Sequence, residues 1–61
     1  MDFQEIVKDL LATGLTQTEL AKMAGTTQPT INRIKEGVTK MPVFPVADKL
    51  RKLHKKRKKS D

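Results

Sequence analysis

Cysteine, tryptophan and tyrosine are absent from this chain, and aromatic residues occur only at Phe3 and Phe44. Without cysteine there are no disulfides, thiolate metal centres or cysteine nucleophiles, structural zinc fingers are excluded, and a reducing compartment fits. Serine occurs once, at Ser60 behind a run of bases, so nucleophilic catalysis has no candidate. Histidine also occurs once, at His54, among lysines that repel a metal ion; its ring is expected to face solvent. Met23 and Met41 read as packing residues, not ligands. No apolar run approaches the roughly 20 residues of a membrane span, and Asp2 and Glu5 stand where a secretory signal needs basic charge. At 61 residues the chain makes one small domain. Such a domain buries about 60% of its unfolded surface, too little for a deep enclosed active site. A soluble cytoplasmic protein is expected, with no catalytic residue, cofactor, metal, membrane partner or small-molecule ligand.

The charge is unevenly placed. Residues 1–48 carry five bases against six acids, a net charge of −1. Residues 49–61 carry eight bases against Asp61 alone, a net charge of +7. A basic end of this kind binds polyanions by releasing condensed counterions, or it serves only as a solubilising terminus. Short basic runs also occur in nuclear-import signals and polybasic membrane contacts, so Lys55 to Lys59 cannot decide the function alone.

Apolar spacing predicts an all-α chain. Phe3, Ile6, Val7, Leu10 and Leu11 follow the three-four period of a first helix, with Asp2 and Glu5 as a capping-box start and Gly14 as the stop. Thr16 caps a second helix, with Glu19 three residues on and Leu20, Ala21, Met23 and Ala24 before Gly25. A third begins near Pro29, with its N-cap at Gln28 or Thr27, Gln28 at its tip and Ile31 and Ile34 as its buried stripe. Residues 37–45 form a loop whose Val38, Met41, Val43 and Phe44 are expected to lie against the core. Pro45 starts a fourth helix with Val46, Ala47, Leu50 and Leu53 on its inner face, fraying after His54. The expected division is a domain over residues 1–54 and a flexible basic tail over residues 55–61.

Two short capped helices joined at a glycine are the requirement of a helix-turn-helix. Ala21 is small where the helices approach, Gly25 permits the positive φ of the turn, and Leu20, Ala24, Ile31 and Ile34 can meet beneath it. The stretch Gln17, Thr18, Glu19, Leu20, Ala21, through Gly25, Thr26, Thr27, Gln28, to Ile31, Gly37, Thr39, Lys40, Pro42 and Phe44 resembles the Cro and repressor DNA-binding domains of lambdoid phages, those of phage 434 most closely. The similarity covers roughly residues 1–45 and is motif-specific over residues 15–44. It implies a small lambda-repressor-like domain of four to five helices. The chain departs from that pattern where a fifth helix would complete the core and it runs instead into Lys55 to Lys59. It departs again at Leu10 and Lys35, where relatives pair a base with an acid; hydrophobic packing is expected to replace that pair.

The resemblance implies which residues meet DNA. Gln28 can present its amide to adenine N6 and N7, Arg33 can reach guanine O6 and N7, Pro29 offers an apolar edge to a thymine methyl, and Asn32 shares their side. Pro29, Asn32 and Arg33 differ from the glutamine-rich surface of those relatives, so a different operator is expected. Gln17, Thr27, Thr39 and Lys40 would hold phosphates and fix register, joined by Lys55, Lys56, Arg57, Lys58 and Lys59 of the tail. Thr16 is read as a cap alone. The implied function is a Cro-like repressor acting as a homodimer on palindromic double-stranded DNA, in the nucleoid of a bacterial host. Two other classes remain open: an antitoxin or adaptor that uses the helix pair to bind protein, and a non-specific polyanion binder driven by the tail.

Overall fold

The computed structural model describes residues 2–57. Four helices form in chain order: α1 (Phe3–Ala12), α2 (Gln17–Ala24), α3 (Gln28–Glu36) and α4 (Phe44–Arg57). The first two begin where a side chain supplies a partner for the free N–H groups of a first turn. The Asp2 carboxylate accepts from the Glu5 N–H at 3.0 Å, which is half of the expected capping box. At α2 the box is complete: Glu19 N–H donates to Thr16 Oγ1 at 3.0 Å, and Thr16 N–H donates to Glu19 Oε1 at 3.1 Å. Thr27 is the N-cap of α3 without a side-chain cap bond, and Pro29 sits in the first turn, where its missing N–H costs nothing. The Val43 carbonyl accepts from Ala47 N–H at 2.9 Å, so α4 opens at Phe44, one residue before Pro45.

The two helices of the turn motif end in the left-handed region. Gly25 has φ 75° and Gly37 has φ 85°, conformations that a side chain disfavours. At Gly25 the Thr26 N–H returns to the Ala21 carbonyl at 2.8 Å, which closes α2 and turns the chain directly into α3.

Beneath this turn lies one core. Val7, Leu20, Ile31, Ile34 and Leu50 are wholly inaccessible, and Phe3, Ile6, Leu10, Ala21, Ala24 and Val46 are buried around them. Leu10 packs there as expected, while Lys35 is half-buried and pairs with Glu36 at 3.4 Å. Ala47 and Leu53 of α4 pack at the rim. Helix α4 lies on α1 and α2 and does not pack on α3, which leaves the outer face of α3 open.

The loop departs from the expected packing. Val38, Met41, Val43 and Phe44 are between 69% and 77% exposed, and only Pro42 turns inward. The first three helices with Val46 and Leu50 already fill the core, so the loop's other apolar side chains have no interior to enter. Met23 is exposed as well, so neither methionine is a core residue. Helix α4 continues through Lys55, Lys56 and Arg57, which places the expected boundary at residue 54 inside a helix.

Candidate nucleic-acid interface

Helix α3 has two opposed faces. Ile31 and Ile34 are at 0% exposure and fix its rotation, which turns Gln28, Pro29, Asn32 and Arg33 together to solvent. All four proposed base readers therefore share one outward face. Their side chains are not independent. Gln28 Nε2 donates to Gln17 Oε1, and Gln17 Nε2 donates to Asn32 Oδ1 at 3.4 Å. Gln17 is the first residue of α2, so this amide chain ties the start of one helix to the exposed face of the next. Sequence alone suggests only a phosphate role for Gln17; its place as a brace for Gln28 and Asn32 depends on how two helices cross, which no local pattern encodes. Each braced amide keeps hydrogen-bonding capacity for a base edge or a phosphate.

Outside the basic end, the expected phosphate residues fall into two groups. Gln17 lies at the N-terminal end of α2, where free N–H groups and the helix dipole favour an anion. Thr27, at the N-terminal end of α3, has its hydroxyl 3.1 Å from the Thr30 hydroxyl. Thr39 is half-buried and Lys40 exposed, and with Asp2, Gln4 and Gly37 they line a small hollow of about 70 Å³ beside the C-terminal end of α3.

Lys55, Lys56 and Arg57 are exposed on the last turn of α4. Arg57 Nε donates to Thr13 Oγ1 at 3.3 Å, which ties this basic turn back to the end of α1. Lys58 and Lys59 lie outside the described residues. His54 overturns the expectation of an exposed ring: its side chain is only 13% accessible, and its Nε2 lies 2.9 Å from Asp9 Oδ2. The ring follows Leu50 by one helical turn and so faces α1, where the Asp9 carboxylate meets it. Among the described residues no group of acids and histidine could hold a metal ion, and no helix is long and apolar enough to cross a membrane.

A family model described as helix-turn-helix matches residues 8–55. The chain is also 46% identical over 50 residues to a protein named "Putative protein P2" of Acyrthosiphon pisum secondary endosymbiont phage 1. The match covers 82% of this chain and 53% of that protein, so the chain spans about half the length of the curated relative. No solved structure matches it significantly. With its paired helices, glycine turn and exposed α3 face, the chain belongs to the lambda repressor/Cro-like helix-turn-helix family of DNA-binding regulators.

Proposed function

We propose that the chain is a sequence-specific transcriptional regulator of phage or prophage origin, a Cro-like repressor that occupies a palindromic operator as a homodimer. The observation that carries this reading is the face of α3: two fully buried isoleucines behind, and an amide-rich row with one arginine in front. Such a helix suits the major groove, where Gln and Asn match adenine and Arg matches guanine. Gln17, Thr27, Thr39, Lys40 and the basic residues from Lys55 onward act on the phosphates. The phage relative supports the phage setting.

The dimer rests on a second observation. Val38, Met41, Val43 and Phe44 expose apolar side chains on one short stretch around the buried Pro42, and exposed apolar groups gathered in this way can mark protein contacts. A two-fold pair joined there would offer two copies of α3 to successive major grooves, roughly 34 Å apart.

Selection of bound duplexes from a random pool at near-physiological salt tests both parts. A palindromic motif is the expected product. Enrichment of nothing would favour attraction by the basic end alone, and no binding at all would favour an antitoxin or adaptor that uses the same surface on protein. On the selected site, Gln28→Ala or Arg33→Ala is expected to cost about 1–3 kcal/mol and to relax one base pair per half-site. Equal losses on random duplex would remove the assignment of base reading to these residues.

A further inference from the structure

We propose that Gln4 is a positioning residue for DNA binding, one that holds the loop after α3 so that Thr39 and Lys40 receive a backbone phosphodiester in the hollow beside Gly37. The inference rests on the DNA-binding reading and extends it to α1, an element that otherwise supplies core residues and helix ends.

The C-terminal end of α3 has more carbonyls than local N–H groups to satisfy them. Gly37 N–H takes the Ile34 carbonyl at 3.1 Å, and Val38 and Thr39 N–H both take the Arg33 carbonyl, at 2.9 and 3.2 Å. The Lys35 carbonyl is met from α1 instead: Gln4 Nε2 donates to it at 3.0 Å across 31 positions of sequence. The same amide lies against the hinge of the loop, because a Cβ added to Gly37 would come within 3.2 Å of Gln4 Nε2. Gln4 therefore fixes both the last turn of α3 and the residue from which the loop departs.

Thr39 and Lys40, which carry a hydroxyl and an ammonium, line the hollow at this point beside Gln4, whose amide is held on the Lys35 carbonyl. Donors and one cation suit an anion with several acceptor oxygens. Asp2 sits on the same rim, with Oδ1 engaged by the Glu5 N–H at 3.0 Å, and its charge opposes a second negative charge. A phosphodiester, which carries one charge, fits this balance better than a phosphate monoester.

The test uses the full chain and a mixed-sequence duplex, with affinity measured across a salt series beside melting temperature. Gln4→Leu is expected to lower the slope of log affinity against log salt by about 0.9 per chain, or roughly fivefold in affinity near physiological salt. Asp2→Asn keeps a good helix cap but loses the opposing charge, so it is expected to tighten binding a few-fold. Lys40→Ala should weaken the native chain yet add little to Gln4→Leu, because the two changes remove one contact. A folded Gln4→Leu with an unchanged slope and a lower melting temperature would overturn the proposal and leave the amide a purely structural role. A native chain that ignores duplex DNA would instead bring down the DNA-binding reading beneath it. Should Gln4→Leu fail to fold, amide resonances of the native chain decide. Duplex should shift Gln4, Gly37, Thr39 and Lys40 together, and silence at these four while α2 responds overturns the assignment.

Discussion

Helices α3 and α4 both pack on the shared core, yet they offer solvent opposite chemistries. Helix α3 spans nine residues, is closed at its C-terminal end by a left-handed glycine, and shows amides braced by Gln17. Helix α4 spans fourteen residues and shows solvent mainly cations, eight bases lying beyond residue 48 in the whole chain. The two helices do not pack on each other. On the proposed reading, side-chain geometry is braced on the helix that would distinguish bases, and charge is gathered on the helix that would attract the polyanion. Amides need fixed directions to discriminate, whereas an ammonium group attracts a phosphate from many orientations. Choice and attraction should therefore be separable by mutation.

The largest expected effect comes from removing residues 55–61, which deletes five bases and one acid. When about four of those bases each neutralise a phosphate, their removal should lower the salt slope by roughly four units and affinity by up to about a thousandfold at moderate salt. Base preference should hardly change, because Gln28, Asn32 and Arg33 are untouched. The melting temperature should drop only slightly, since Leu50 and Leu53 remain and the one side-chain bond removed among the described residues is Arg57 to Thr13. Loss of sequence preference with the salt slope intact would reverse the roles assigned to the two helices.

A smaller effect is expected at the turn that aims α3. Gly25→Val imposes a β-branched side chain on φ 75°, a strain of about 1–3 kcal/mol in a domain with little stability to spare. The added Cβ would also stand 3.1 Å from Lys49 Nζ of α4. That atom ends a flexible side chain and can move, so the backbone should carry the cost. Gly25→Val combined with Lys49→Ala is then expected to melt as low as Gly25→Val alone. Recovery in the double variant would show that α4 presses on the turn and that the separation of the two helices is incomplete.

What the sequence disclosed follows the range of the interaction. Helix starts depend on residues three apart, so Thr16 with Glu19 is readable, and so is the buried stripe of Ile31 and Ile34. The outward set Gln28, Pro29, Asn32 and Arg33 follows from that stripe. The bond from Gln17 to Asn32 and the bond from Gln4 to Lys35 depend on helix crossings and leave no local trace. The loop misleads because apolar character alone does not say whether an interior remains to be filled; Val38 and Phe44 stay outside because Val46 and Leu50 have entered. His54 misleads for a different reason. Most residues around it in the chain are cations, but Leu50 lies one helical turn before it on the same face, and that spacing points the ring toward α1.

The smallest expected effect lies at that ring and asks how firmly the basic end of α4 is held. His54 and Asp9 stand 45 positions apart in sequence and 2.9 Å apart in space, with the ring largely covered and the carboxylate about half exposed. Water screens part of the interaction, so a coupling of about 0.5–1 kcal/mol is expected, equivalent to roughly 2–8 °C in melting temperature. His54→Ala, Asp9→Ala and the double variant isolate it, because losses that fail to add measure the pair itself. Discrimination between operator and random duplex should be the same in all of them, since neither residue touches α3's outer face. Strictly additive losses would mean that the pair contributes nothing and that Leu50 and Leu53 alone hold this end of α4. A change in discrimination would mean that the anchoring of α4 reaches the recognition face through α1, and the two helices would then act as one unit.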